Sequence, residues 1–484
     1  MNSAFTPHYI STRGTPDAAR PANFKDALLG GMAPDGGLYV PAQMADISPQ
    51  LDELSALSYP ALAYEILQPF IGDAIADDDL RAMLKETYKA PIFHHPDIAP
   101  LIQLDENLWL LELFHGPTLS FKDYALQLLG RLFDYVLKQR GARMTIVGAT
   151  SGDTGSAAIE ACRHCDNIDI IILHPHNRTS PIQRAQMTST GADNVHNIAL
   201  EGTFDDCQNL VKAMFADHDF ARQIKLSAVN SINWARIMAQ IVYYVSSSLS
   251  LGGHKGRPVS YSVPTGNFGN VYAGYCARKS GAPLDQLGIS TNRNDILTRF
   301  FESGTMRKDG VQKSLSPSMD IEISSNFERY LFDLCGRDPD AVAARMTDFR
   351  EKGAFSVSQN LFEKAKQDFH ALRCDDAQTL EAMRHCYQKT GHIIDPHSAV
   401  ALHGALEMQA REEASRGGSD MPMVALACAH PAKFPDAVQK ALGRAPEIPE
   451  RLQDVMEREE TFDILLDDYQ RVCAYVRERS RASS

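Results

Sequence analysis

The sequence lacks the short motifs that mark the commonest nucleotide and metal sites. No G-x-x-x-x-G-K-[ST] segment occurs, which argues against a Walker-type nucleotide site, and no G-x-G-x-x-G opens a strand–helix unit, which argues against a dinucleotide site. H-E-x-x-H and paired C-x-x-C segments are also missing, and these are the usual zinc patterns. We therefore expect the chemistry of this chain to rest on other groups, without a metal.

The sequence also has little that would direct the chain to a membrane. Residues 1–13 contain neither an apolar core nor a basic run, so no signal peptide is predicted. The most apolar long stretch, residues 237–251, is too short and too rich in Ser and Gln to span a bilayer, and we expect a buried helix there. A formal net charge of -13 argues against partners such as nucleic acid or an acidic membrane surface. We predict a cytoplasmic protein of two or three domains.

Cysteine and histidine occur without the neighbours that a disulfide framework or a metal site needs. The nine cysteines include a lone Cys162-x-x-Cys165 pair, which we interpret as two residues one turn apart on a helix. The histidines within residues 94–95 and 174–176 have no carboxylate or cysteine cluster beside them, so we expect solvated loop histidines. Free thiols are typical of a reducing compartment.

One lysine stands in a segment that favours amine chemistry. Lys122 follows a Gly-Pro turn and a short Thr/Ser/Phe stretch in LFHGPTLSFKD (113–123), which predicts a position near a helix start. The positive end of the helix dipole disfavours the ammonium form there, so the neutral amine that condenses with an aldehyde becomes more accessible. The alternative is an ordinary surface lysine, and the choice depends on what accompanies it along the chain.

Two Gly-rich loops accompany this lysine, each preceded by a strand-like run and followed by a helical one. The first is GATSGDTG (148–155) and the second is TGNFGN (265–270). Such strand–loop–helix units direct several backbone N–H groups toward a helix start and form ready anion sites. An amine, a phosphate cradle and a loop of carboxylate size together fit pyridoxal phosphate (PLP) and an amino-acid substrate.

With these motifs in view, the chain resembles a known family. Threonine synthases use PLP to convert O-phospho-L-homoserine and water into L-threonine and phosphate. Five segments resemble theirs in the same order: FHGPTLSFKD (114–123), GATSGDTGSAA (148–158), NSINWARIMAQ (230–240), PTGNFGN (264–270) and AHPAKFPDAV (429–438). Residues 9–14 and 33–41 also resemble the N-terminus of this family, so the resemblance covers nearly the whole chain.

The resemblance implies a role for each matching position. Lys122 corresponds to the lysine that bonds covalently to the cofactor and acts as the catalytic base. The implied cofactor-binding residues are Gly266, Asn267, Phe268, Gly269 and Asn270 at the cofactor phosphate, Asp153 near the 3′-oxygen, and Cys428 near the pyridine nitrogen. The implied substrate-binding residues are Ser151, Gly152 and Thr154 at the α-carboxylate, and Asn230, Ser231 and Arg236 at the phosphate. Arg236 also makes physical sense by itself, because a guanidinium binds phosphate bidentately.

Two positions depart from the family pattern. Many relatives carry Asn where this chain has Asp153, whereas the long bacterial and fungal forms, which this chain resembles, share the Asp. A carboxylate beside the phenolic oxygen of the cofactor requires a proton between the two. At Cys428 the family usually has a Thr that hydrogen-bonds the pyridine nitrogen, and a thiol is a weaker partner than a hydroxyl. The alternative for Cys428 is a small buried hydrophobic residue.

The order of elements predicts an α/β fold. Residues 1–95 are expected to be mostly helical, with helices over 52–70 and 77–88. Beyond them, strand-like runs alternate with helices, which indicates a mostly parallel sheet. Further helices are expected over 327–371 and 376–390, and strands over 101–103, 108–112, 145–147, 168–173, 195–200, 259–263 and 423–427.

The resemblance implies PLP fold type II, shared with tryptophan synthase β, in which the cofactor lies between two α/β domains. We predict three segments along the chain. Residues 1–95 form a mostly helical N-terminal extension, and residues 96–250 form an α/β region with the PLP lysine and the substrate loop. Residues 251–484 form an α/β region with the PLP phosphate loop and the C-terminal segment.

The activity that the resemblance implies is a γ-elimination of phosphate followed by addition of water at the β-carbon, the last step of threonine biosynthesis. A phospho-lyase of the same family, which would release 2-oxobutyrate, stays open as an alternative. A serine or threonine dehydratase would use an unphosphorylated substrate, against which Arg236 argues. From another class, a PLP-binding protein without catalysis is the alternative. The sequence leaves both a monomer and a homodimer open.

Overall fold

The structure, a computed structural model, describes residues 7–14, 21–150, 152–227, 231–416 and 421–483. The strands of these residues are β1 (Tyr9–Ser11), β2 (Tyr39–Pro41), β3 (Leu101–Asp105), β4 (Leu108–Glu112), β5 (Met144–Ala149), β6 (Ile168–Pro175), β7 (Val195–Glu201), β8 (Leu226–Ser227), β9 (Val259–Pro264), β10 (Leu284–Thr291), β11 (Thr305–Arg307), β12 (Ala354–Ser356), β13 (His370–Arg373), β14 (Met423–Ala427) and β15 (Asp463–Leu466).

The helices are α1 (Phe24–Gly30), α2 (Leu51–Ser55), α3 (Tyr59–Ile71), α4 (Asp77–Thr87), α5 (Lys122–Arg140), α6 (Asp153–Cys162), α7 (Pro181–Thr188), α8 (Phe204–Ala216), α9 (His218–Gln223), α10 (Trp234–Ser250), α11 (Gly269–Lys279), α12 (Ile296–Ser303), α13 (Phe327–Leu334), α14 (Pro339–Lys352), α15 (Gln359–Asp368), α16 (Asp376–Thr390), α17 (Pro396–Arg416), α18 (Pro435–Leu442), α19 (Glu450–Glu457) and α20 (Tyr469–Arg479). A single turn of 3-10 helix at Pro317–Met319 also bears on the site.

The chain divides into two compact units, each built from two separated stretches. The larger unit comprises Met1–His115 and Ser231–Pro446, and the smaller unit comprises Gly116–Asn230 and Glu447–Ser484. The boundaries of these units differ from those of the three consecutive segments predicted from the sequence. Those three segments stay a prediction. The mixed α/β class with a helical N-terminal part is confirmed.

The larger unit contains a six-stranded sheet in the order β13-β10-β9-β14-β4-β3. All neighbouring pairs are parallel except β3 and β4, which are antiparallel. Every residue of β14 is buried, as is usual for a strand covered on both faces. Leu110, Leu402 and Ala425 belong to one apolar core, which places α17 against the sheet. Because β4, β9 and β14 are parallel, the segments that follow them begin at the same edge of the sheet.

The smaller unit contains a five-stranded, entirely parallel sheet in the order β15-β7-β6-β5-β8. Strand β6 is buried along its whole length, consistent with a central strand rich in isoleucine. Its core contains Ile171 from β6, Leu200 from β7, Leu210 from α8 and Val472 from α20. The carboxyl end of β5 leads directly into the turn that begins α6.

The N-terminal helices belong to the larger unit and are joined to it by buried polar and aromatic contacts. The Tyr9 hydroxyl donates a 2.6 Å hydrogen bond to the carbonyl of Phe70, and the ring of Phe70 packs edge-on against Trp234 at 5.7 Å between centroids. Arg13 forms a bidentate pair with the buried carboxylate of Glu328. Among the described helices, none has the length and apolar character that crossing a membrane requires.

Two long helices expected from the sequence are broken in the structure. The stretch 52–70 is two helices, α2 and α3, because Ser58 and the proline after Tyr59 form a helix start of their own. The stretch 327–371 is interrupted at Gly336 and Arg337, which both have positive φ, and again at Gly353. It forms α13, α14, β12, α15 and the beginning of β13.

Two other expectations are also wrong. Helix α6 ends at Cys162, so Cys165 lies beyond it rather than on the same helix. His174 is not a solvated loop residue, because β6 extends two residues further than predicted and buries it to 1% exposure. Its ring packs on Phe462, and its two nitrogens have no hydrogen-bond partner within the described residues. Burial lowers the pKa of His174 to about 4.

Candidate active site

Lys122 is the first residue of α5, so the predicted helix start is confirmed. The carboxylate of Asp123 fixes the turn before it, accepting hydrogen bonds of 2.8 Å from both the N–H and the hydroxyl of Thr118. The Ser120 hydroxyl accepts a 3.2 Å bond from the N–H of Lys122. A Cβ at Gly116 would lie 2.4 Å from the Cβ of Asp123, which explains the glycine. These hydrogen bonds are local to the turn, and the side-chain amide of Gln186 on α7 adds a 3.2 Å bond to the carbonyl of Thr118.

The amine of Lys122 has a carboxylate beside it. Its Nζ lies 3.7 Å from Oδ2 of Asp153, and the two side chains are 10% and 5% exposed. The other oxygen, Oδ1, accepts a 2.9 Å hydrogen bond from the amide of Gln183 on α7. The neighbouring carboxylate stabilises the ammonium form, which opposes the dipole effect expected from the helix start.

The second loop of the smaller unit leads from β5 into α6. Gly152 caps the helix and Asp153 is its first residue, followed by Thr154. The buried hydroxyl of Thr150, which sequence reasoning missed, accepts hydrogen bonds from the N–H groups of Gly152 at 3.0 Å and Gly155 at 3.1 Å. Thr150 therefore sets the curvature of this loop. Ser151, one of the predicted substrate residues, lies outside the described residues.

In the larger unit, the loop Gly266–Asn270 joins β9 to α11. Phe268 caps this helix with φ of +64°, and its buried ring packs against Phe327 and Phe369 with centroids 5.2 and 5.4 Å away. This aromatic anchor maintains a left-handed turn at a residue other than glycine. The first N–H groups of α11, beginning at Gly269, have no carbonyl partner within the helix and remain donors for an anion.

The carbonyl groups of this loop are held by residues far away in the chain. Ser324 donates a 2.7 Å hydrogen bond to the carbonyl of Gly266, and the side-chain amide of Asn326 donates to the carbonyl of Asn267 at 3.1 Å. The same amide donates to the carbonyl of Ser231 at 3.2 Å. With the carbonyls engaged in this way, the loop is fixed without using its helix-start donors.

Arg329 secures this arrangement from within the core. Its fully buried guanidinium donates to the carbonyl of Tyr39 at 3.0 Å, to Asn326 and to the carbonyl of Ile232. Burial lowers the pKa of Arg329 to about 10. Sequence reasoning missed both Asn326 and Arg329, since neither belongs to a motif with the residues it contacts.

Arg236 contrasts with Arg329, because part of its guanidinium is buried without a partner. The residue lies in the first turn of α10 and is 3% exposed. Its Nε and Nη1 atoms have no hydrogen-bond partner among the residues described, and burial lowers its pKa to about 10. A buried cation in this state is strongly unfavourable unless an anion joins it. Asn230, predicted beside it, lies outside the described residues.

Asn270, at the end of the loop, is oriented by two tyrosines of α10. The hydroxyls of Tyr243 and Tyr244 donate to its Oδ1 at 2.6 and 2.9 Å, so its NH₂ group points the other way. That group lies 3.9 Å from Sγ of Cys428, a long contact to a weak acceptor. Burial raises the pKa of Tyr244 well above its ordinary value, so its hydroxyl stays a donor.

The chemistry of these residues fits PLP. A buried amine is available for the aldehyde, and a glycine-rich loop with fixed carbonyls and open helix-start donors is available for the phosphate. At Gly266 a Cβ would lie 3.2 Å from the Cα of Met319, so the loop needs its glycine to approach the 3-10 turn. No three His, Cys, Asp or Glu side chains of the described chain come together as metal ligands would.

The structure distributes the predicted site residues between the two units. Lys122, Gly152, Asp153 and Thr154 lie in the smaller unit, at the starts of α5 and α6. The other predicted site residues that the structure describes lie in the larger unit: Ser231, Arg236, Gly266, Asn267, Phe268, Gly269, Asn270 and Cys428.

Comparisons with known proteins agree over nearly the whole chain. Residues 84–368 match the family of pyridoxal-phosphate dependent enzymes, residues 8–88 match the threonine synthase N terminus, and residues 398–476 match the threonine synthase C-terminal region. A threonine synthase of Pseudomonas aeruginosa is 52% identical over 97% of this chain and 97% of its own.

Solved structures give the same result. The PLP-bound threonine synthase of Brucella melitensis superposes with a TM-score of 0.93 at 49% identity, covering 98% of this chain and 100% of its own. The yeast threonine synthase has a TM-score of 0.91 at 37% identity, covering 99% of both chains. The chain therefore belongs to the threonine synthase family of PLP-dependent lyases.

Proposed function

We propose that this member of the threonine synthase family converts O-phospho-L-homoserine and water into L-threonine and phosphate. The observation that carries the choice of a phosphorylated substrate is Arg236, whose guanidinium is buried with Nε and Nη1 unpartnered among the described residues. A planar cation with free donors matches a phosphate group, because two N–H groups bind two phosphate oxygens at once. An unphosphorylated substrate would leave that charge buried and unpaired.

Lys122 holds the cofactor and moves protons in this proposal. When bound, PLP supplies an electron sink that withdraws charge from the reacting carbon atoms. The amine of Lys122 removes the proton from Cα of the substrate and later returns a proton to the carbon skeleton of the substrate. Asp153, 3.7 Å from Nζ, stabilises the charge that the amine gains with each proton. Gln183 keeps that carboxylate in position through its 2.9 Å hydrogen bond.

The loop Gly266–Asn270 binds the cofactor phosphate through its backbone N–H groups. Cys428 would hold the pyridine nitrogen as a neutral partner, so that nitrogen would stay largely unprotonated. Asn270 contributes its NH₂ group, which Tyr243 and Tyr244 direct by occupying Oδ1. Asp153 would hold the 3′-oxygen, and a proton would be shared between the two oxygens.

The substrate is held at its two anionic ends. Ser151, Gly152 and Thr154 bind the α-carboxylate at the start of α6, where the N–H groups and the helix dipole favour an anion. Asn230, Ser231 and Arg236 bind the phosphate and stabilise the charge that develops as it leaves. A proton of Cβ and the γ-phosphate leave first, and Cγ gains a proton. Water then adds its oxygen at Cβ as a proton returns to Cα, which yields threonine.

We further propose that the protein acts in the cytoplasm on this small molecule, as a monomer or a homodimer, without a nucleic-acid partner. The net charge of -13 supports the last point, because a phosphate backbone would be repelled. The anionic substrate is compatible with that charge, since its binding depends on the local field around Arg236.

The test is a product analysis on the purified, PLP-loaded protein with O-phospho-L-homoserine. Phosphate, threonine and 2-oxobutyrate are measured in the same sample, with Lys122→Ala as the inactive reference. Equal amounts of phosphate and threonine are expected. Phosphate with 2-oxobutyrate would instead identify a phospho-lyase, and PLP binding without phosphate release would identify a binding protein.

A further inference from the structure

The segment Asp395–Ser398 begins α17 in the larger unit and has no part in the chemistry described so far. Asp395 is fully buried, and its carboxylate accepts four hydrogen bonds from the first turn of the helix. Oδ2 accepts from the N–H of His397 at 3.0 Å and from its ring Nδ1 at 2.6 Å. Oδ1 accepts from the N–H of Ser398 at 3.0 Å and from its hydroxyl. A helix cap needs only one or two of these bonds.

The ring of His397 continues from Asp395 to another part of the chain. Its Nε2 accepts a 3.2 Å hydrogen bond from the backbone N–H of Ser318. A backbone N–H can only donate, so Nε2 carries no proton and Nδ1 donates to Asp395. The imidazole is therefore a neutral bridge with one defined tautomer. His397 is 4% exposed, and its ring also packs on Phe434 with 4.7 Å between centroids.

Ser318 lies in the 3-10 turn Pro317–Met319, against which the phosphate loop rests. A Cβ at Gly266 would lie 3.2 Å from the Cα of Met319 and 3.4 Å from the carbonyl oxygen of Ser318. The hydrogen bond that His397 accepts from Ser318 thus fixes the turn that packs against Gly266. A shift of this turn would change the direction of the loop's N–H groups, because the two atoms nearest to a Cβ at Gly266 belong to the backbone of the turn.

The hydroxyl of Ser398 forms a second branch from the same carboxylate. It donates to Asp395 and accepts a 3.2 Å hydrogen bond from the N–H of Cys428. Cys428 is in turn 3.9 Å from the amide of Asn270, at the far end of the phosphate loop. Asp395 is therefore connected on one side to Gly266 and on the other to Cys428.

We propose that Asp395, His397 and Ser398 are positioning residues that fix the phosphate loop relative to Cys428, with the His397 branch serving the phosphate of the cofactor and the Ser398 branch serving its ring. This inference rests on the proposed assignment of the loop Gly266–Asn270 to the cofactor phosphate. None of the three residues needs to touch the cofactor. Their effect is transmitted through the turn Pro317–Met319 and through the backbone of Cys428.

The roles of the His397 and Ser398 branches are distinguished by measuring how much the phosphate contributes to cofactor binding. Purified protein is stripped of PLP, and the dissociation constants of PLP and of pyridoxal, which lacks the phosphate, are determined by absorbance titration. The ratio of the two constants reports the phosphate loop alone. In His397→Phe an aromatic ring is kept, but the acceptor for Ser318 and the donor to Asp395 are both lost. The PLP preference over pyridoxal is therefore expected to fall by about tenfold.

Conservative variants and a matched control complete the design. His397→Gln offers an oxygen at the position of Nε2 and is expected to restore the ratio, whereas His397→Asn reaches Asp395 but not Ser318 and is expected not to. Ser398→Ala should retain the ratio and shift the absorbance maximum of bound PLP, because only the Cys428 branch changes. The control is Ser262→Ala, which removes another buried hydroxyl bonded to α17, at the carbonyl of Ala401, without touching either branch.

An unchanged ratio in His397→Phe would overturn the proposal, and so would an equal fall in Ser262→Ala. If His397→Phe does not fold, the comparison of His397→Gln with His397→Asn decides, since equal ratios in these two would exclude the His397 branch. Binding is measured without substrate. A protein that shows the expected ratios but makes no threonine would therefore refute the proposed function and leave the positioning role intact.

Discussion

The two units differ in how they hold their own predicted site residues. In the smaller unit both loops contain local hydrogen bonds, since Thr118 is five residues from Asp123 and Thr150 is five residues from Gly155. Helix α7 adds support to each loop, through Gln186 to Thr118 and through Gln183 to Asp153. In the larger unit the phosphate loop depends on distant residues. Ser324 is 58 positions from Gly266, and Asn326 is 95 positions from Ser231. A local turn can form before the rest of the unit, whereas the phosphate loop requires the finished fold.

The two units also differ in whether a buried cation of the predicted site has a carboxylate beside it. The smaller unit pairs its cation, Lys122, with the carboxylate of Asp153. The larger unit leaves two donors of its cation, Arg236, without a partner among the described residues. An amine that reacts and moves protons benefits from a permanent neighbour of opposite charge. A cation that receives a dianionic group gains most when no protein carboxylate competes for it.

The largest effect is expected from removing the amine. Lys122→Ala should lower threonine formation by at least about a thousandfold, because covalent attachment and proton transfer are lost together. The visible absorbance of the lysine-bound cofactor should disappear with it. Lys138→Ala, on the exposed side of the same helix, is the control and should retain full activity. Normal threonine formation by Lys122→Ala would remove this residue from the mechanism.

The contrast in charge pairing predicts opposite changes in stability for two similar substitutions. In protein without cofactor or substrate, Arg236→Met should raise the free energy of unfolding by about 2 kcal/mol, because a buried unpaired charge is removed. Lys122→Met should lower it by about 3 kcal/mol, because Asp153 is left buried without its cation. Urea unfolding measures both.

Arg329→Met is the matched control for the arginine, since Arg329 is equally buried but donates to three groups. It should be strongly destabilised. Loss of stability in Arg236→Met as large as that in Arg329→Met would mean that Arg236 is a structural residue.

A pH test extends the comparison to a buried histidine of the smaller unit. Burial lowers the pKa of His174 from 6.5 to about 4. Between these values the unfolded chain binds more protons than the folded one, so stability falls as the pH falls from 6.5 to 4. His174→Phe should reduce that loss by about 2 kcal/mol. Urea unfolding at several pH values checks this, with the exposed His218→Asn as the control. An identical pH dependence in His174→Phe and wild type would contradict the buried, neutral state.

The smallest effect is expected at Cys428. Cys428→Thr replaces a weak thiol partner by a hydroxyl, which forms shorter hydrogen bonds in the same space. Turnover should change by less than about fivefold, because the amide of Asn270 is oriented by two tyrosines in either case. A shift in the absorbance maximum of bound PLP should accompany it. Loss of most activity would give Cys428 a chemical role that its 3.9 Å contact does not suggest.

The sequence predicts those features that depend on neighbouring residues. The helix start at Lys122, helix α16 and strand β14 follow from local patterns, and the structure agrees with each. Strand β10 was missed because polar residues and Gly288 interrupt its apolar pattern. A Cβ at Gly288 would lie 2.4 Å from the sulfur of Met408, a contact that no local pattern reveals.

The support around the site is less accessible to sequence reasoning. Arg329 looks like any helix arginine until Tyr39, 290 positions away, is placed beside it. Thr150 was within a recognised motif, yet its part in holding the loop requires the turn geometry. Asp395 had no evident chemistry in the sequence, because its two branches end at residues that are distant in the chain.

Binding of inorganic phosphate to the PLP-loaded protein tests most directly whether Arg236 is kept unpaired for a substrate phosphate. Thermal unfolding is followed with and without saturating phosphate, for wild type, Arg236→Met and Lys138→Ala. We predict that phosphate raises the unfolding temperature of wild type and Lys138→Ala and leaves Arg236→Met unchanged. Equal stabilisation of Arg236→Met would contradict this account of the site.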